Sequence, residues 1–488
     1  MPDSRPAPAA VPASRTLEQR MIPFIVGCAL FMQMLDSTVV ATALPAMARD
    51  LGTTAVHMNI TITAYLLATA VFVPISGWAA DRFGAQRVFQ AAILLFVLSS
   101  AACAASNSLA QLVAARVVQG AAGAMMVPVG RIILLRRIPK SELVQAMAFL
   151  TLPALLGPVI GPPVGGFLVT YASWHWIFLI NIPVGILGMA LIQRFIARDV
   201  PDGRPRLDTV GFLLSGIAMA ALMTCLEAIG HGGMGVGAIA GLIVLGLVCG
   251  VLYIRHARHA TYPIIDLSLL RTQTFAVSVL GGNLCRFGSG ASPFLLAILL
   301  QVGFGLSAFS AGMITFTSAA GALLMKLVAT PIVHRFGFRR VLTWNALIAA
   351  SFTAACAAFQ ADTPVWLMVA VLLTGGFFRS LQFTAVNALT YADLDSAQMS
   401  RASSFSAMAQ QLGISLGVAC AAATLNLSIT LRGGIEADRI DVMWGFVVTA
   451  LCVAASSLSF RRLSNRSGSQ LRHHRDQRVA RQAGPGDV

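Results

Sequence analysis

The sequence of 488 residues is short of charge: only 11% of its residues are Asp, Glu, Lys or Arg, whereas a soluble globular domain carries about 25%. Hydrophobic residues make up 57%. Fourteen apolar stretches of about 20 residues or more are each long enough to cross a bilayer as a helix, and only short loops separate them. These observations exclude a soluble protein and predict an all-α integral membrane protein with fourteen transmembrane helices. The stretches begin near Met21, Met58, Arg87, Leu109, Leu143, His175, Leu207, Met234, Thr274, Ser307, Phe338, Pro364, Ala402 and Ile440.

Motifs for catalysis, redox chemistry and nucleotide binding are also absent. The eight cysteines lie inside apolar stretches and form no CxxC or other metal-ligand spacing, which favours core packing over redox or metal chemistry. No stretch contains an HExxH motif, paired acids or a Cys/His cluster, which disfavours a membrane-embedded enzyme or a receptor-like scaffold. The sequence also lacks a GxxxxGKS or GxxxxGKT loop, so we expect neither ATP as the direct energy source nor any other cofactor.

The distribution of basic residues indicates topology. The chain has 34 Lys and Arg against 19 Asp and Glu, a net charge of +15. If successive apolar stretches alternate in direction, 26 of the basic residues fall on one side of the membrane and three on the other. By the positive-inside rule, the basic side is cytoplasmic and holds both termini. The basic excess therefore predicts an orientation in the lipid bilayer and no nucleic-acid partner.

A short internal repeat predicts the arrangement of the helices. The segment Asp81–Val88 (DRFGAQRV) recurs as His334–Val341 (HRFGFRRV), with five matching residues at a constant offset of 253. Both copies follow an even-numbered stretch on the basic side, so we interpret the halves as a parallel duplication. The predicted fold is two six-helix bundles related by a pseudo-two-fold repeat, with two inserted central helices. The boundaries are 1–20 for a disordered cytoplasmic tail, 21–199 for the N-terminal bundle, 200–272 for a linker and the two inserted helices, 273–462 for the C-terminal bundle and 463–488 for a basic cytoplasmic tail.

A carboxylate lies deep in the first apolar stretch. Asp36 is about 22 Å from Met21 along a helix, well inside a hydrocarbon core of about 30 Å. A charge at that depth costs at least about 2.5 kcal/mol and usually serves a function. Arg116, several residues into the fourth stretch, is the expected partner. A purely structural ion pair is the alternative.

Two glycine-rich segments indicate conformational change. The loop Gly77–Arg87 (GWAADRFGAQR) combines glycines for a tight turn with Asp81 and Arg82, which can pair with each other or with a neighbouring helix end. The fifth stretch contains Gly157–Gly166 (GPVIGPPVGG), in which glycines at every fourth position line one helix face and three prolines can bend the helix. We interpret this segment as a hinge at the interface between the bundles.

Four segments together resemble the signature motifs of the major facilitator superfamily, in particular its fourteen-helix drug:proton antiporters of the EmrB/QacA type. They are Leu35–Pro45, Gly77–Arg87, Arg116–Gly123 and Gly157–Gly166. The segment Ala172–Gly185 (ASWHWIFLINIPVG) also resembles the start of the sixth span in MdtD-like multidrug-resistance transporters of that family. The resemblance extends from about Thr16 to Arg462, nearly the whole chain.

By position, the resemblance implies a role for each motif. Asp36 would be the protonatable acid, and Arg116 the basic residue that modulates it. A cytoplasmic latch would stabilise one conformation, and an antiporter hinge would bend between conformations. The latch comprises Gly77, Asp81, Arg82, Gly84 and Arg87, and the hinge comprises Gly157, Pro158, Gly161, Pro162, Gly165 and Gly166. Two positions depart from the family pattern: His175 stands where many relatives have Arg, and His334 replaces the acid in the second loop motif, which would weaken a latch there.

The second half contributes basic residues instead of acids. No acidic residue lies near the middle of stretches nine to fourteen, whereas Arg286 and Arg379 lie well inside theirs and Lys326 lies nearer the cytoplasm, where it can extend to the interface. A cavity with one acid and two or three arginines suits a neutral, zwitterionic or anionic compound at least as well as a lipophilic monocation. Capping of helix carbonyls by the two arginines is the alternative. The candidate cavity residues are Gln119, Arg286, Arg379, Gln382 and Asn387.

The sequence and the resemblance together predict a proton-coupled exporter (an antiporter) of small amphipathic molecules, working by alternating access as a multidrug efflux protein in the bacterial cytoplasmic (inner) membrane. Its partners would be protons, a small-molecule substrate and the lipid bilayer, with a periplasmic adaptor as a further candidate. Two alternatives stay open on the same fold: a proton-coupled uptake symporter, and a dedicated exporter of a metabolite or organic anion. Because the second half lacks a midplane acid, Asp36 is the predicted sole proton carrier.

Overall fold

The computed structural model describes residues 13–53, 58, 60–139, 142–197, 206–231, 234–306, 308–395, 398–433 and 438–464. Within these ranges the chain forms sixteen α-helices and no β-strand, which confirms the predicted all-α class. The helices are α1 (Ala13–Asp50), α2 (Ile60–Phe72), α3 (Ile75–Phe83), α4 (Ala85–Ala104), α5 (Leu109–Arg137), α6 (Leu143–Tyr171), α7 (Trp176–Leu179), α8 (Asn181–Phe195), α9 (Thr209–His231), α10 (Val236–Ala257), α11 (Gln273–Ile298), α12 (Ala308–Phe336), α13 (Phe338–Ala355), α14 (Val365–Thr390), α15 (Met399–Arg432) and α16 (Arg439–Arg461). Short 3-10 helices span Leu267–Arg271 and Cys356–Ala358, and a π-helical turn, Leu299–Gly303, follows α11.

Most of these helices are long and apolar enough to cross a membrane. Twelve segments in the described ranges pass that test individually, and α2 and α3, which meet at a bend of 59°, form a thirteenth if they are counted as one span. The chain is therefore a multi-pass membrane protein. α1 begins at Ala13, so it starts within the segment that was predicted to be a disordered tail. The rest of the two predicted tails, residues 1–12 and 465–488, lies outside the described ranges.

Local sequence accounts for several helix ends. Ser108 precedes α5, and its side chain accepts a hydrogen bond from the backbone N–H of Gln111 at 3.3 Å. Asp438 and Asp441 form a capping box at the start of α16. Gly433, with φ of +69°, ends α15 in the left-handed conformation that glycine adopts most readily.

The two halves of the chain repeat the same helix packing. In the first half, α1 packs on α6 and α8, α5 packs on α2 and α4, and α4 packs on α8. In the second half, α11 packs on α15 and α16, α14 packs on α12 and α13, and α13 packs on α16. When the six spans of each half are numbered in chain order, the same pairs of spans are in contact in both halves. The packing is that expected of a parallel duplication.

The repeated loop motif has one geometry in both halves. Gly84 joins α3 to α4 with φ of +90°, and Gly337 joins α12 to α13 with φ of +76°. Glycine adopts such angles without strain, which explains why it recurs at the offset of 253. In each copy the preceding arginine lies over the neighbouring phenylalanine ring, 5.7 Å from its centroid for Arg82 and 5.6 Å for Arg335.

The halves meet largely through their fifth spans, α6 and α15. α6 contacts α12 and α14 of the second half, and α15 contacts α3 and α5 of the first half. Between the halves in sequence, α9 packs against both α2 and α15, and α10 packs on α9. A central cavity lies between the halves and is lined by residues of α1, α2, α5 and α6 together with residues of α11, α12, α14 and α15.

Candidate functional site

Asp36 of α1 and Arg116 of α5 form an ion pair that is sealed from solvent. Arg116 Nη1 donates to Asp36 Oδ2 at 2.6 Å, and both side chains are 0% exposed. Because α1 packs on α5, the two charges meet although they are 80 residues apart in sequence. The structure thus brings together the acid and the base that the sequence predicts to be partners.

Two side-chain amides complete the hydrogen bonding of Asp36. Gln119 Nε2 and Asn181 Nδ2 both donate to Asp36 Oδ1, at 3.1 and 3.0 Å, and both also donate to Ser100 Oγ, at 2.6 and 3.1 Å. The prediction of Gln119 as a cavity residue is therefore corrected. It lies one helical turn from Arg116, on the same face of α5, and so belongs to the Asp36 site.

Arg116 has partners other than Asp36. Its Nη1 also donates to Gln119 Oε1 at 2.6 Å, and its Nε donates to the carbonyl oxygen of Thr61 at 3.3 Å. The guanidinium lies 4.3 Å from the ring centroid of Tyr65, within cation–π distance. These contacts would remain if the ion pair opened, so loss of the Asp36 charge does not leave the arginine without support.

The glycine face of α6 packs directly on α1 beside Asp36. A Cβ added to Gly157 would lie 2.7 Å from the nearest atom of α1, and a Cβ added to Gly161 or Gly165 would collide with a threonine hydroxyl. The three partners on α1 are Met34, Thr38 and Thr42, respectively. These glycines are therefore needed for the close approach of the two helices.

The predicted hinge face is consequently oriented differently from our expectation. Gly157, Gly161 and Gly165 face α1 of their own half, whereas Pro163 lines the central cavity and α6 contacts α12 and α14 of the other half. No heavy atom of the described residues lies within 4 Å of a Cβ added to Gly166, so Gly166 does not share this packing. The side chains of Pro158 and Pro162 lie outside the described part of the chain.

Asp81, at the end of α3 where the basic loops lie, joins the two halves. Arg136 Nη2 donates to Asp81 Oδ1 at 2.8 Å, and Ser400 Oγ of α15 donates to the same oxygen at 2.5 Å. Gly77 makes this approach possible, because an added Cβ would lie 2.6 Å from Ser404 Oγ and 2.7 Å from the carbonyl oxygen of Ser400. We call this end of the molecule the basic end. The halves are in direct contact there.

The other predicted latch arginines are placed elsewhere. Arg82 lies over the ring of Trp78, 5.8 Å from its centroid, and Arg87 is exposed. Asp81 therefore pairs with Arg136, not with Arg82. The physical reason is that successive residues of a helix project about 100° apart, so they do not face each other.

The central cavity has a volume of about 1270 Å³ and, of the five candidate cavity residues, Arg379 is the one among the described residues that lines it. Arg286 and Gln382 line a smaller adjoining cavity of about 50 Å³ within the second half, and Arg379 and Ser318 line both cavities. Arg286 Nη2 donates to Asn387 Oδ1 at 2.9 Å, so it bonds a side-chain amide and not the helix carbonyl considered as the alternative. The prediction is corrected for Asn387, which is not among the described lining residues of either cavity, and Arg286 and Gln382 line only the adjoining one.

Sequence reasoning missed two cations of the central cavity, Arg131 of α5 and Lys326 of α12. Lys326 was expected to extend to the interface, but its Nζ donates to Thr384 Oγ1 at 2.6 Å and the residue is only 7% exposed. The available signal was the helical spacing on α5, where Ala124, Val127 and Arg131 line the cavity together at intervals of three and four residues.

Comparison with known proteins defines the class. The sequence profile described as "Major Facilitator Superfamily" matches residues 26–418 and 278–479, and the chain belongs to this family. It is thus a membrane transporter and not an enzyme, and the predicted family is confirmed. Two bacterial relatives carry the name "Putative multidrug resistance protein MdtD". The one from Pectobacterium carotovorum is 40% identical over 444 residues, covering 90% of this chain and 95% of the relative. The one from Escherichia coli is 39% identical over 459 residues, covering 94% and 97%.

Two solved structures share the fold. The human organic anion transporter MFSD10 (TETRAN) superposes with a TM-score of 0.65 at 14% identity, covering 91% of this chain and 99% of its own. The proton:xylose symporter XylE superposes with a TM-score of 0.63 at 13% identity, covering 93% and 98%. At these identities the likeness establishes the architecture alone.

Proposed function

We propose that this protein is a proton-coupled antiporter that exports small amphipathic molecules by alternating access, as a multidrug efflux transporter. The observation that carries the proposal is the sealed ion pair of Asp36 and Arg116. An ionisable pair inside a membrane is costly and marks a functional site by default, most often an ion or proton relay. The names of the MdtD relatives support drug export as the physiological direction.

Protonation of Asp36 would change the contacts between α1 and α5. Both carboxylate oxygens now accept hydrogen bonds, Oδ2 from Arg116 and Oδ1 from Gln119 and Asn181. A proton on Oδ2 displaces the N–H donor of Arg116 and removes the charge that attracts it. The link between the two helices is then weaker, so proton binding favours a different arrangement of α1 against α5.

The packing of α6 can transmit this movement of α1 to the interface between the two halves. Thr38 lies two residues after Asp36 and contacts Gly161 of α6. α6 in turn contacts α12 and α14 of the second half. A shift of α1 is therefore passed to a helix at the interface, and proton binding becomes linked to the rocking of the halves. In this cycle Asp36 is the sole proton carrier.

We also propose fourteen membrane crossings, made of two six-helix bundles and the two inserted helices α9 and α10. The twelve individual spans and the bent pair α2–α3 supply thirteen. α6, with 29 residues, is long enough to supply the fourteenth, since it extends about 43 Å. The basic loops would place both termini in the cytoplasm of a bacterial cell, with the protein in its inner membrane.

A growth-inhibition screen tests the export function. Cells that overproduce the wild-type protein are compared with cells that overproduce Asp36→Asn at equal membrane levels, across a panel of toxic compounds of different charge. We expect resistance to at least one compound from the wild type and none from the variant. Everted membrane vesicles then give direction: a proton gradient that is acidic inside should drive accumulation of that compound. Accumulation driven by the opposite gradient would favour the uptake symporter instead.

A further inference from the structure

Three cations from both halves of the protein line the central cavity. Arg131 comes from α5 of the first half, and Lys326 and Arg379 come from α12 and α14 of the second half. The described lining contains no aspartate or glutamate. The rest of the lining is largely apolar or uncharged, and it includes Met313, Phe316 and Phe383. The cavity is thus apolar overall and carries charge of one sign.

Two of these cations are buried and Arg379 is half-buried, and none of the three has an acidic partner among the described residues. Arg131 is 4% exposed and Lys326 is 7% exposed. Their hydrogen bonds go to uncharged groups: Arg131 Nη2 to Gln410 Oε1 at 3.4 Å, Lys326 Nζ to Thr384 Oγ1 at 2.6 Å, and Arg379 Nη2 to Ser318 Oγ at 2.6 Å. Arg131 Nε and Nη1 are buried and have no hydrogen-bond partner in the described part of the chain. The site therefore holds uncompensated positive charge and unused donors.

Outside the central cavity, Arg116 and Arg136 are paired with acids, whereas the buried Arg286 donates to the side-chain amide of Asn387. Arg116 pairs with Asp36 at 2.6 Å, and Arg136 pairs with Asp81 at 2.8 Å. A cation held only for packing gains from such a partner, because an unpaired charge in low-dielectric surroundings is strongly destabilising. Unpaired cations at a cavity wall are instead expected where a ligand supplies the counter-charge.

We propose that the central cavity binds an organic anion, a compound with a carboxylate, sulfonate or phosphate group on an apolar body. Arg131 on one side and Lys326 and Arg379 on the other bind the anionic group, and the apolar lining takes the rest of the molecule. This rests on the proposed export function and names its substrate class. Guanidinium N–H groups are strong donors to oxyanions, and Nε and Nη1 of Arg131 have no hydrogen-bond partner among the described residues.

The position of the cations gives anion binding a conformational effect. Arg131 belongs to one half of the transporter and the other two cations belong to the opposite half, so one anion between them links the halves. The same charges repel a lipophilic cation, the usual alternative cargo of a drug exporter. The charges of the cavity therefore select an anionic substrate, and binding of that anion favours a conformation in which both halves close on it.

Thermal unfolding of the purified full-length protein with charge-matched probes tests the proposal. The probes are 2-naphthoate, 2-naphthalenemethanol and 2-naphthylmethylammonium, which share one ring system and differ in charge, all at equal ionic strength. We expect naphthoate to raise the Tm of the wild type, the alcohol to raise it less and the ammonium compound not to raise it. Arg131→Gln, Lys326→Gln and Arg379→Gln should each bind naphthoate about tenfold more weakly or worse, the loss typical of a charged hydrogen bond.

Arg401→Gln is the matched control, because it removes a partly buried arginine that pairs with Asp266 at 2.7 Å and is not among the described lining residues of either cavity. It should leave naphthoate binding unchanged. If a glutamine variant folds poorly, Arg131→Lys and Lys326→Arg, which keep the charge, should retain naphthoate binding. The proposal is overturned if naphthoate does not stabilise the wild type, if the ammonium compound stabilises it equally, or if all three glutamine variants bind naphthoate like the wild type.

The outcome is separable from the test of proton-coupled export. Asp36→Asn should keep naphthoate binding, because Asp36 does not line the cavity. Wild-type export of cationic compounds, dependent on Asp36 and without naphthoate binding, would remove the anion site and leave the export function standing. Naphthoate binding without any gradient-driven export would support the anion site and contradict the export function.

Discussion

At the scale of single residues, the central feature is a buried acid whose two carboxylate oxygens both accept hydrogen bonds. Asp36 receives one charged donor and two amide donors, and the arginine that balances it is supported by Thr61 and Tyr65. A pair of this kind gains little net stability, because the cost of removing two charges from water offsets their attraction. A functional role therefore explains the presence of this ion pair better than a contribution to stability does.

A double-mutant cycle should show strong coupling between Asp36 and Arg116. Arg116→Gln leaves a buried carboxylate without its counter-charge, so we expect a loss of about 3–5 kcal/mol in the free energy of unfolding. Adding Asp36→Asn removes that charge and should restore at least about 1 kcal/mol. The measurement is denaturant unfolding of the purified protein in detergent or bicelles.

Arg286→Gln serves as the distant control in the same cycle. It lies in the other half and shares no partner with Asp36, so its effect should add to that of Asp36→Asn within about 0.5 kcal/mol. If the effects of Asp36→Asn and Arg116→Gln on the free energy of unfolding were also additive, the two residues would not be coupled.

The sequence predicted the charged pair of this site, but it placed Gln119 in the substrate cavity and did not indicate Asn181 or Ser100. Asp36 and Arg116 were visible because a charge is rare in an apolar stretch. Asn181 and Ser100 are uncharged polar residues of a kind common in such helices, and Asn181 meets Asp36 from 145 positions away. Only the packing of α8 on α1 and α4 shows that they belong together.

At the scale of helices, the contact between α1 and α6 connects the proton site to the interface. α6 presents glycines to α1 at every fourth position, which brings the two backbones together beside Asp36. Close helix packing of this type transmits small displacements, because a dense interior has little free volume to absorb them.

Two alanine variants of α6 should separate the packing face from the rest of the helix. Gly161→Ala places a methyl group against Thr38, so we expect a loss of about 1–3 kcal/mol or reduced transport at normal expression. Gly166→Ala meets no neighbouring atom within 4 Å and should be close to neutral. Thermal unfolding and vesicle transport measure both effects. Equal effects of the two variants would show that the glycine face has no special role.

At the basic end, Asp81→Asn should favour the conformation in which the halves separate. The variant replaces the carboxylate that accepts a hydrogen bond from Ser400 of the other half with a neutral amide, which is a weaker acceptor. We therefore expect a shift on the order of 1 kcal/mol, or about fivefold in population. Spin labels at Arg87→Cys and Arg340→Cys, equivalent exposed sites in the two halves, would report a larger fraction of long distances. The labels are introduced into a variant of the protein in which the eight native cysteines have been replaced.

Asp393→Asn is the matched control for this experiment, since it removes an exposed carboxylate of the second half outside the interhelical contact. An unchanged distance distribution in Asp81→Asn, or an equal change in both variants, would contradict the role of Asp81 in closing the basic end.

The helix scale is where sequence reasoning succeeded best. Long apolar stretches marked the helices, and an eight-residue echo predicted a duplication that the pairwise packing reproduces. It succeeded less well for the direction in which a side chain points. Arg286 and Arg379 looked alike in the sequence, yet α14 places Arg379 in the lining of the central cavity, whereas α11 places Arg286 only in the adjoining cavity of its own half. A rotation of a helix by less than half a turn decides this difference, and composition does not encode it.

At the scale of the whole molecule, the sites fall in separate places with separate tasks. The Asp36 site lies within the first half, the cationic cavity lies between the halves, and the Asp81 contact joins the halves at the basic end. This separation allows proton and substrate each to bias the same two-state equilibrium from its own site. The proposed cycle therefore predicts that coupling can be lost while substrate binding survives.

The most direct measurement of that claim compares two kinds of transport by Asp36→Asn in proteoliposomes, using a substrate identified by the growth screen. Counterflow exchanges labelled for unlabelled substrate without a gradient, and it requires binding and conformational exchange but no net proton movement. We predict that Asp36→Asn retains counterflow and loses accumulation driven by a proton gradient. Full gradient-driven accumulation by the variant would show that Asp36 does not carry the coupling proton.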